Sequence, residues 1–312
     1  MMLTNRAPFD YASSTALITG ASRGIGAELA RQIADRGANT LVLVARSQED
    51  LDTLSEELYA RYQTHVEIIV ADLSDAAAPA AIKEETDRRG LHIDLLVNNA
   101  GFGSYGLFEE LDPAHEQSMI AVNVASLVAL TRFYLPEMVR KGRGGILNVA
   151  STAGFQPVPF MSTYGATKAF VLSFSEALWA EAQEREGDDV RVICLCPGNT
   201  ESHFADNLKE RRGRFENVPA SSAEDVARGG LDALDQDASY RVVGGMNYAG
   251  TLAIRAAPRA AVARVSASLF RPIKEKESGV SYRRTLAAGL AIAAGVAAGG
   301  YAVYQAFKKP MA

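Results

Sequence analysis

Cysteine, histidine and a leader sequence are what this chain has least of. It holds two cysteines, Cys194 and Cys196, in 312 residues. That excludes a disulfide framework and suits a reducing compartment. One residue apart on a strand, the two thiols would face the same way, into the core. The four histidines are scattered, so no metal site is expected. The N-terminus has no basic stretch followed by an apolar run, so no secretory signal is expected. A net charge of −5 argues against a general nucleic-acid binder.

What is present is ordinary globular composition, with 48% hydrophobic and 22% charged residues, enough for a sizeable core. Thr15 to Thr19 reads as a buried strand. It runs into Gly20, Ala21, Ser22, Arg23, Gly24, Ile25 and Gly26, and then into a helix pattern through Leu29 and Ile33. Strand, glycine turn and helix form the context of a phosphate-binding turn. The glycines let backbone approach a pyrophosphate, and the helix N-terminus offers free N–H groups.

A second strand, Thr40 to Ala45, ends at Arg46 and Ser47. An acid that would bind a ribose 2′-hydroxyl is missing there. Arg46, Ser47 and Arg23 suit a 2′-phosphate instead, because arginine pairs with phosphate bidentately. The residues therefore point to NADP(H). Strands and helices then alternate: a helix over Leu51 to Tyr62, a strand over Val66 to Ala71 ending at Asp72 and Leu73, a helix over Ala76 to Arg89, and a strand over Ile93 to Val97. This pattern predicts a parallel sheet with helices on both faces. Gly20, Arg46, Asp72 and Asn98 would all stand at carboxyl ends of strands, where such sheets bind ligands. Asp72 could accept from an adenine amino group.

Farther along, Tyr164 and Lys168 are four apart on a helix pattern, so they share a face. An ammonium beside a phenol favours the phenolate, so the Tyr164 pKa is expected to fall. Ser151 ends the strand Gly145 to Ala150, and Asn123 sits between Val122 and Val124 in a long helical pattern from Asp112 to Arg140. Its apolar neighbours favour a buried kink there.

Thr19 to Gly26, Asp72, Asn98 to Gly101, Asn123, Ser151, Tyr164 with Lys168, and Pro197 with Gly198 together resemble the short-chain dehydrogenase/reductase family, in its single-domain, NADP-preferring branch. Order and spacing agree from about Ser14 to about Val243. The stretches Gly101 to Gly106 and Ala153 to Pro159 are also similar to a bacterial subgroup of general short-chain dehydrogenases. The resemblance implies a doubly wound Rossmann fold with one catalytic domain and a C-terminal helical extension. It implies Tyr164 as general acid or base, Lys168 on the nicotinamide ribose, Ser151 on the substrate oxygen, and Asn123 holding a water that links Lys168 to solvent. It implies cofactor contacts from Gly20, Ser22, Arg23, Gly24, Ile25, Gly26, Arg46, Ser47, Asp72, Leu73, Asn99, Ala100, Gly101, Tyr164, Lys168, Pro197, Gly198 and Thr200. It also implies a homodimer or homotetramer, formed through the helix of Tyr164 and the long one before it.

Phe102, Tyr105, Ser151, Phe155, Val158, Phe160 and Phe204 are the expected substrate pocket, mainly apolar and suited to a hydrophobic ketone or alcohol. Glu201 to Ser221, with Lys209, Arg211, Arg212 and Arg214, falls where relatives carry a flap. Asn247 to Phe270 reads as an alanine-rich, basic helical stretch. The expected organisation is an arm over 1–13, a dehydrogenase domain over 14–272, a linker over 273–284, a helix over 285–307 and a basic end over 308–312. Residues 285–307 lack charge and are flanked by Arg283, Arg284, Lys308 and Lys309. They read as a membrane-spanning or a packed helix. The catalytic domain is accordingly expected in the cytoplasm, with a possible C-terminal membrane contact. A second reading is a membrane-anchored, nucleotide-binding regulatory or scaffold protein with incidental turnover. The complete Asn123, Ser151, Tyr164 and Lys168 set favours an enzyme.

Overall fold

The computed structural model describes residues 6–185, 187–201 and 220–271. The strands β1 (Thr15–Thr19), β2 (Thr40–Ala45), β3 (His65–Val70), β4 (Leu95–Asn98), β5 (Arg143–Val149), β6 (Asp189–Cys196) and β7 (Tyr240–Val242) form one parallel sheet in the order β3-β2-β1-β4-β5-β6-β7. The order reverses between β1 and β4. The crevice beyond their carboxyl ends is where such sheets take ligands.

Both faces of the sheet are covered, which is why the middles of β1, β2 and β4 are continuous apolar runs rather than alternating ones. Ile18, Leu41, Leu43, Leu95 and Val97 pack on one side with Leu29 and Ile33 of α1 (Gly24–Asp35), Leu51 and Leu58 of α2 (Gln48–Tyr62) and Leu231 of α7 (Ala223–Asp235). Leu17, Val42, Val44, Leu96 and Ile146 pack on the other. Their partners include Ile82 of α3 (Ala78–Arg88), Leu130 and Tyr134 of α5 (Leu127–Lys141), and Leu178 of α6 (Ser162–Gln183). The N-terminal segment joins this core from Arg6 onward: Phe9 and Tyr11 are buried. Arg191, 1% exposed, donates to the Ala7, Leu234 and Asp235 carbonyls and pins the segment there.

The expected helix from Asp112 to Arg140 is a run of three parts. Asp112 caps α4 (Pro113–Ile120), a π-helical turn spans Ala121–Ser126, and α5 follows. The kink expected at Asn123 is this turn, which widens the helix and lets a carboxamide that is 1% exposed face inward. By length and composition the run Pro113–Lys141 could cross a membrane. Here it packs on the sheet as a core helix.

The stretch from Asn247 to Phe270 is two helices, α8 (Gly245–Ala256) and α9 (Arg259–Phe270). Pro258 separates them: it has no N–H to donate, and it holds Ala257 in an extended conformation (φ −94, ψ 148). Cys194 and Cys196 are both buried and free, with sulfurs 3.7 Å apart, as the strand reading required. Phe133 on α5 and Phe170 on α6 are exposed. Residues 273–284, 285–307 and 308–312, the Lys209 to Arg214 cluster and Phe204 lie outside the described residues.

Candidate active site

The glycine turn between β1 and α1 is built by close approach. Gly20 has φ +64 and Gly24 has φ +58, a region that favours glycine. A Cβ on Gly26 would collide with the Gly20 carbonyl and the Asn99 amide. Asn99 ties this turn to the end of β4. Its amide donates to the Thr19 carbonyl at 2.9 Å and the Gly20 carbonyl at 3.1 Å. The Asn99 and Ala100 backbone N–H groups both donate to the Thr19 hydroxyl at 3.0 Å. Ser22, Arg23 and Ile25 lie within the same turn, and Ile25 rests on the core.

At the ends of β2 and β3, Arg46 and Asp72 stand 3.9 Å apart with side chains 71% and 49% exposed. Ser47 caps α2 by accepting from Asp50 N–H. Two hydrogen bonds from Ser74, backbone and hydroxyl, hold the Asp72 carboxyl below the usual carboxylate range, with Arg46 adding to the effect. The Leu73 side chain is buried in the core, so only its backbone can reach a ligand at this edge.

Asn123 and Lys168 converge on Gly101. A Cβ there would lie 3.0 Å from Asn123 Oδ1 and 3.2 Å from Lys168 Nζ. The Asn123 carboxamide donates to the Phe102 carbonyl and the Thr167 hydroxyl at 3.0 Å, and accepts from Phe102 N–H at 3.1 Å. It thereby clamps the loop after β4 to α6. Lys168 Nζ donates to the Val149 carbonyl at 2.8 Å. Behind it, Asn98 donates to Asn148, and Asn148 donates to Ser175. These side chains hold the ends of β4 and β5 to α6.

Tyr164 and Lys168 occupy one face of α6, with Nζ 5.9 Å from the Tyr164 ring centroid. The expected fall in the tyrosine pKa does not occur. Burial pushes the Tyr164 phenol up to about 12, and the opposing influence is a hydrogen bond with Ser151 rather than the lysine charge. Burial likewise pushes Lys168 down to about 8, with the Cys194 and Cys196 thiols pulling the other way. Desolvation outweighs the ammonium at this distance. Ser151 sits at the end of β5. Its hydroxyl accepts from Ala153 N–H at 3.1 Å and lies 3.4 Å from the Pro197 carbonyl. Thr152 N–H also donates to that carbonyl, which joins the ends of β5 and β6. Gly198 lies against the Asn247 amide, and the Thr200 hydroxyl donates to the Gly198 carbonyl at 3.1 Å.

Around Tyr164 the structure gathers Tyr105, Met119, Val158 and Met161, with Phe102, Phe160, Ala153 and Phe270 packed against them. The expected wall residues Phe102, Tyr105, Val158 and Phe160 are therefore together. Phe155 is not among them. The short helical turn Thr152–Phe155 carries its ring to Tyr240, 5.8 Å between centroids, with the Arg255 guanidinium 5.5 Å above it. Residues that sequence reasoning missed are Met119, Met161, Asn247 and Phe270. Met119 was findable, since it lies one helical turn before Asn123. Phe270 had no local signal, because its place depends on how α9 folds back.

A family model described as short chain dehydrogenase matches residues 14–213. Among curated proteins, the chain is 40% identical over 174 residues to a very-long-chain 3-oxoacyl-CoA reductase of Danio rerio, a stretch covering 54% of this chain and 55% of that one. It is 37% identical over 194 residues to sulfoacetaldehyde reductase 2 of Chromohalobacter salexigens, covering 62% and 75%. The chain spans about half the length of the vertebrate relatives it matches. Among solved structures it resembles a short-chain dehydrogenase from Sphingobium yanoikuyae in complex with NADPH, with TM-score 0.66, 32% identity and coverage of 73% and 87%. It also resembles a 7β-hydroxysteroid dehydrogenase, with TM-score 0.74, 26% identity and coverage of 84% and 100%. The family match takes in more than half of the chain and runs from β1 past the Pro197 turn, through the carboxyl ends of β1 to β6. The chain belongs to the short chain dehydrogenase family.

Proposed function

We propose that the chain is an NADP(H)-dependent oxidoreductase that interconverts a carbonyl and an alcohol on an apolar substrate. The observation that carries this reading is the hydrogen bond of Ser151 with Tyr164, itself in a buried apolar cluster, with Lys168 and Asn123 converging on Gly101.

The residues fit a dinucleotide. The turn at Gly20 and Gly26 has no room for side chains, and the free N–H groups of the first turn of α1 suit a pyrophosphate beside Ser22, Arg23, Gly24 and Ile25. Arg46, exposed and only loosely paired with Asp72, would take a 2′-phosphate with Ser47 and Arg23. Asp72 and Leu73 would border the adenine, and Asn99, Ala100 and Gly101 the middle of the molecule. Lys168 would hold the nicotinamide ribose, while Pro197, Gly198 and Thr200 would flank the nicotinamide. When bound, the reduced nicotinamide supplies a hydride to the carbonyl carbon.

Tyr164 carries its proton at neutral pH and would give it to the carbonyl oxygen. The Ser151 hydroxyl would hydrogen-bond that oxygen and steady its developing charge. Asn123 acts by fixing Phe102 and Thr167, and so the gap between Gly101 and α6. The apolar wall excludes water and accepts a hydrophobic ketone. The relatives support this reading through what their names state: 3-oxoacyl-CoA reduction, hydroxysteroid oxidation and an NADPH complex.

The test is NADPH oxidation by the full chain over a panel of hydrophobic ketones. Tyr164→Phe is expected to slow turnover by about 10²- to 10⁴-fold and to leave NADPH affinity in place. An unchanged rate would remove the mechanism.

A further inference from the structure

The last described helix, α9, is joined to two segments beside the Tyr164 cluster, the loop after β4 and the stretch after Ser151. At its middle Ser266 is buried, and its hydroxyl donates to the Gln156 side-chain oxygen at 3.3 Å. One turn earlier Val262 is buried as well. At its end the Phe270 carbonyl accepts a 2.6 Å hydrogen bond from the Tyr105 hydroxyl. The Phe270 ring packs against the cluster that holds Tyr105, Met119 and Tyr164. Gln156 belongs to the segment that follows Ser151, and Tyr105 to the loop that follows β4. Between the anchors at Ser266 and Phe270 a helix advances about 6 Å, one turn, so the last turn of α9 joins the two segments. The two anchors fix the helix at separate points, so it acts as a standing wall.

We propose that α9 closes the substrate cavity and that Phe270 sets the size of the group admitted beside the carbonyl. This inference rests on the carbonyl-reduction reading above and narrows its substrate class. The favoured substrate is an unsymmetrical ketone with one bulky and one compact substituent, the compact one facing Phe270. The physical reason is that the ring is carried on a helical turn held at Ser266 and at its own carbonyl, so the backbone cannot move it aside without breaking those bonds. A larger group would meet it as an overpacked core does, at a cost rising with each added carbon.

A phenyl ketone series run on the full chain with NADPH tests this, from acetophenone, whose second substituent is a methyl group, to benzophenone, where it is a phenyl group. Phe270→Ala is expected to raise kcat/KM for benzophenone relative to acetophenone by about tenfold or more, and Phe270→Trp to lower that ratio. Opposite signs from one position cannot come from misfolding. Tyr105→Phe keeps its ring but frees the end of α9, and is expected to shift the ratio in the Phe270→Ala direction by a smaller factor. NADPH affinity should be unchanged in all three variants. If the chain is active and both Phe270 variants leave the ratio where it was, the inference is overturned while the Tyr164 chemistry stands. A wild-type chain inert to the whole series, and indistinguishable from Tyr164→Phe, overturns both.

Discussion

Replacing Lys168 by methionine probes the energetics of the site without any substrate. The lysine is 5% exposed, and its ammonium has one hydrogen bond, to the Val149 carbonyl at 2.8 Å. Burial lowers its pKa from 10.5 to about 8. Each tenfold change in proton affinity is worth about 1.4 kcal/mol, so holding the charge inside costs the fold about 3 kcal/mol at neutral pH. Methionine has a similar length and no charge. It forfeits the bond to Val149, about 1–2 kcal/mol. The variant should therefore be more stable by about 1–2 kcal/mol, a rise in Tm of about 2–4 °C for a domain of this size.

The pH dependence fixes the cause. The folded pKa lies below the unfolded one. Below about 8 both states hold the proton, and the penalty is fully present. Between about 8 and 10.5 the folded chain sheds its proton first, so wild-type stability climbs with pH. Above 10.5 only the lost hydrogen bond separates the two proteins, and the advantage reverses. Thermal unfolding of both, followed by circular dichroism without dinucleotide from pH 7 to pH 10, measures the difference; titrations elsewhere in the chain cancel. A variant that melts below wild type at pH 7, with a gap that stays constant up to pH 10, refutes the reasoning.

Two further outcomes follow from the same geometry. Arg46→Ala should weaken NADPH binding by about 10- to 100-fold, the worth of charge-assisted hydrogen bonds, and should barely change NADH binding; equal losses by calorimetry would sink the 2′-phosphate assignment. Its effect on stability should be under about 1 kcal/mol, because the ion pair with Asp72 is long and exposed. For ketone reduction, log kcat/KM should be level below about pH 8 and decline above it as Lys168 loses its charge, since Tyr164 stays protonated up to about 12. Lys168→Arg, which cannot deprotonate, should abolish that decline; an unmoved alkaline limb would assign it to another group.

The parallel sheet was legible because β1, β2 and β4 are short, mainly apolar runs followed by glycine, arginine or asparagine. The members of the candidate site were legible for a related reason: strand ends and a one-turn helical spacing are local patterns. Legibility failed where the outcome depended on distant packing. Phe155 and Phe160 look alike in sequence, yet the turn after Ser151 sends one ring to Tyr240 and leaves the other by Tyr105. Phe270 reaches the cluster only because Pro258 breaks the last helical stretch and α9 folds back. The tyrosine pKa failed differently. The spacing of Tyr164 and Lys168 was read correctly, but spacing says nothing of how dry the site is, and dryness decides the sign.

That sign changes what Lys168 is for. A resting phenol held near 12 is a poor base and a competent acid toward an alkoxide, which is far more basic than a phenolate. Proton transfer in the reductive direction is thus downhill without any prior ionisation of Tyr164. The difficulty comes afterward, when a phenolate is left inside an apolar cluster. The group that answers it is the Ser151 hydroxyl, already hydrogen-bonded to Tyr164 and the one influence that draws its pKa down. The ammonium 5.9 Å from the ring does not, and a pKa already counts the energy of the charged form. On the proposed chemistry, Ser151 steadies the phenolate and Lys168 serves the nicotinamide ribose. This accounts for a buried lysine kept charged below about pH 8 at a cost to the fold.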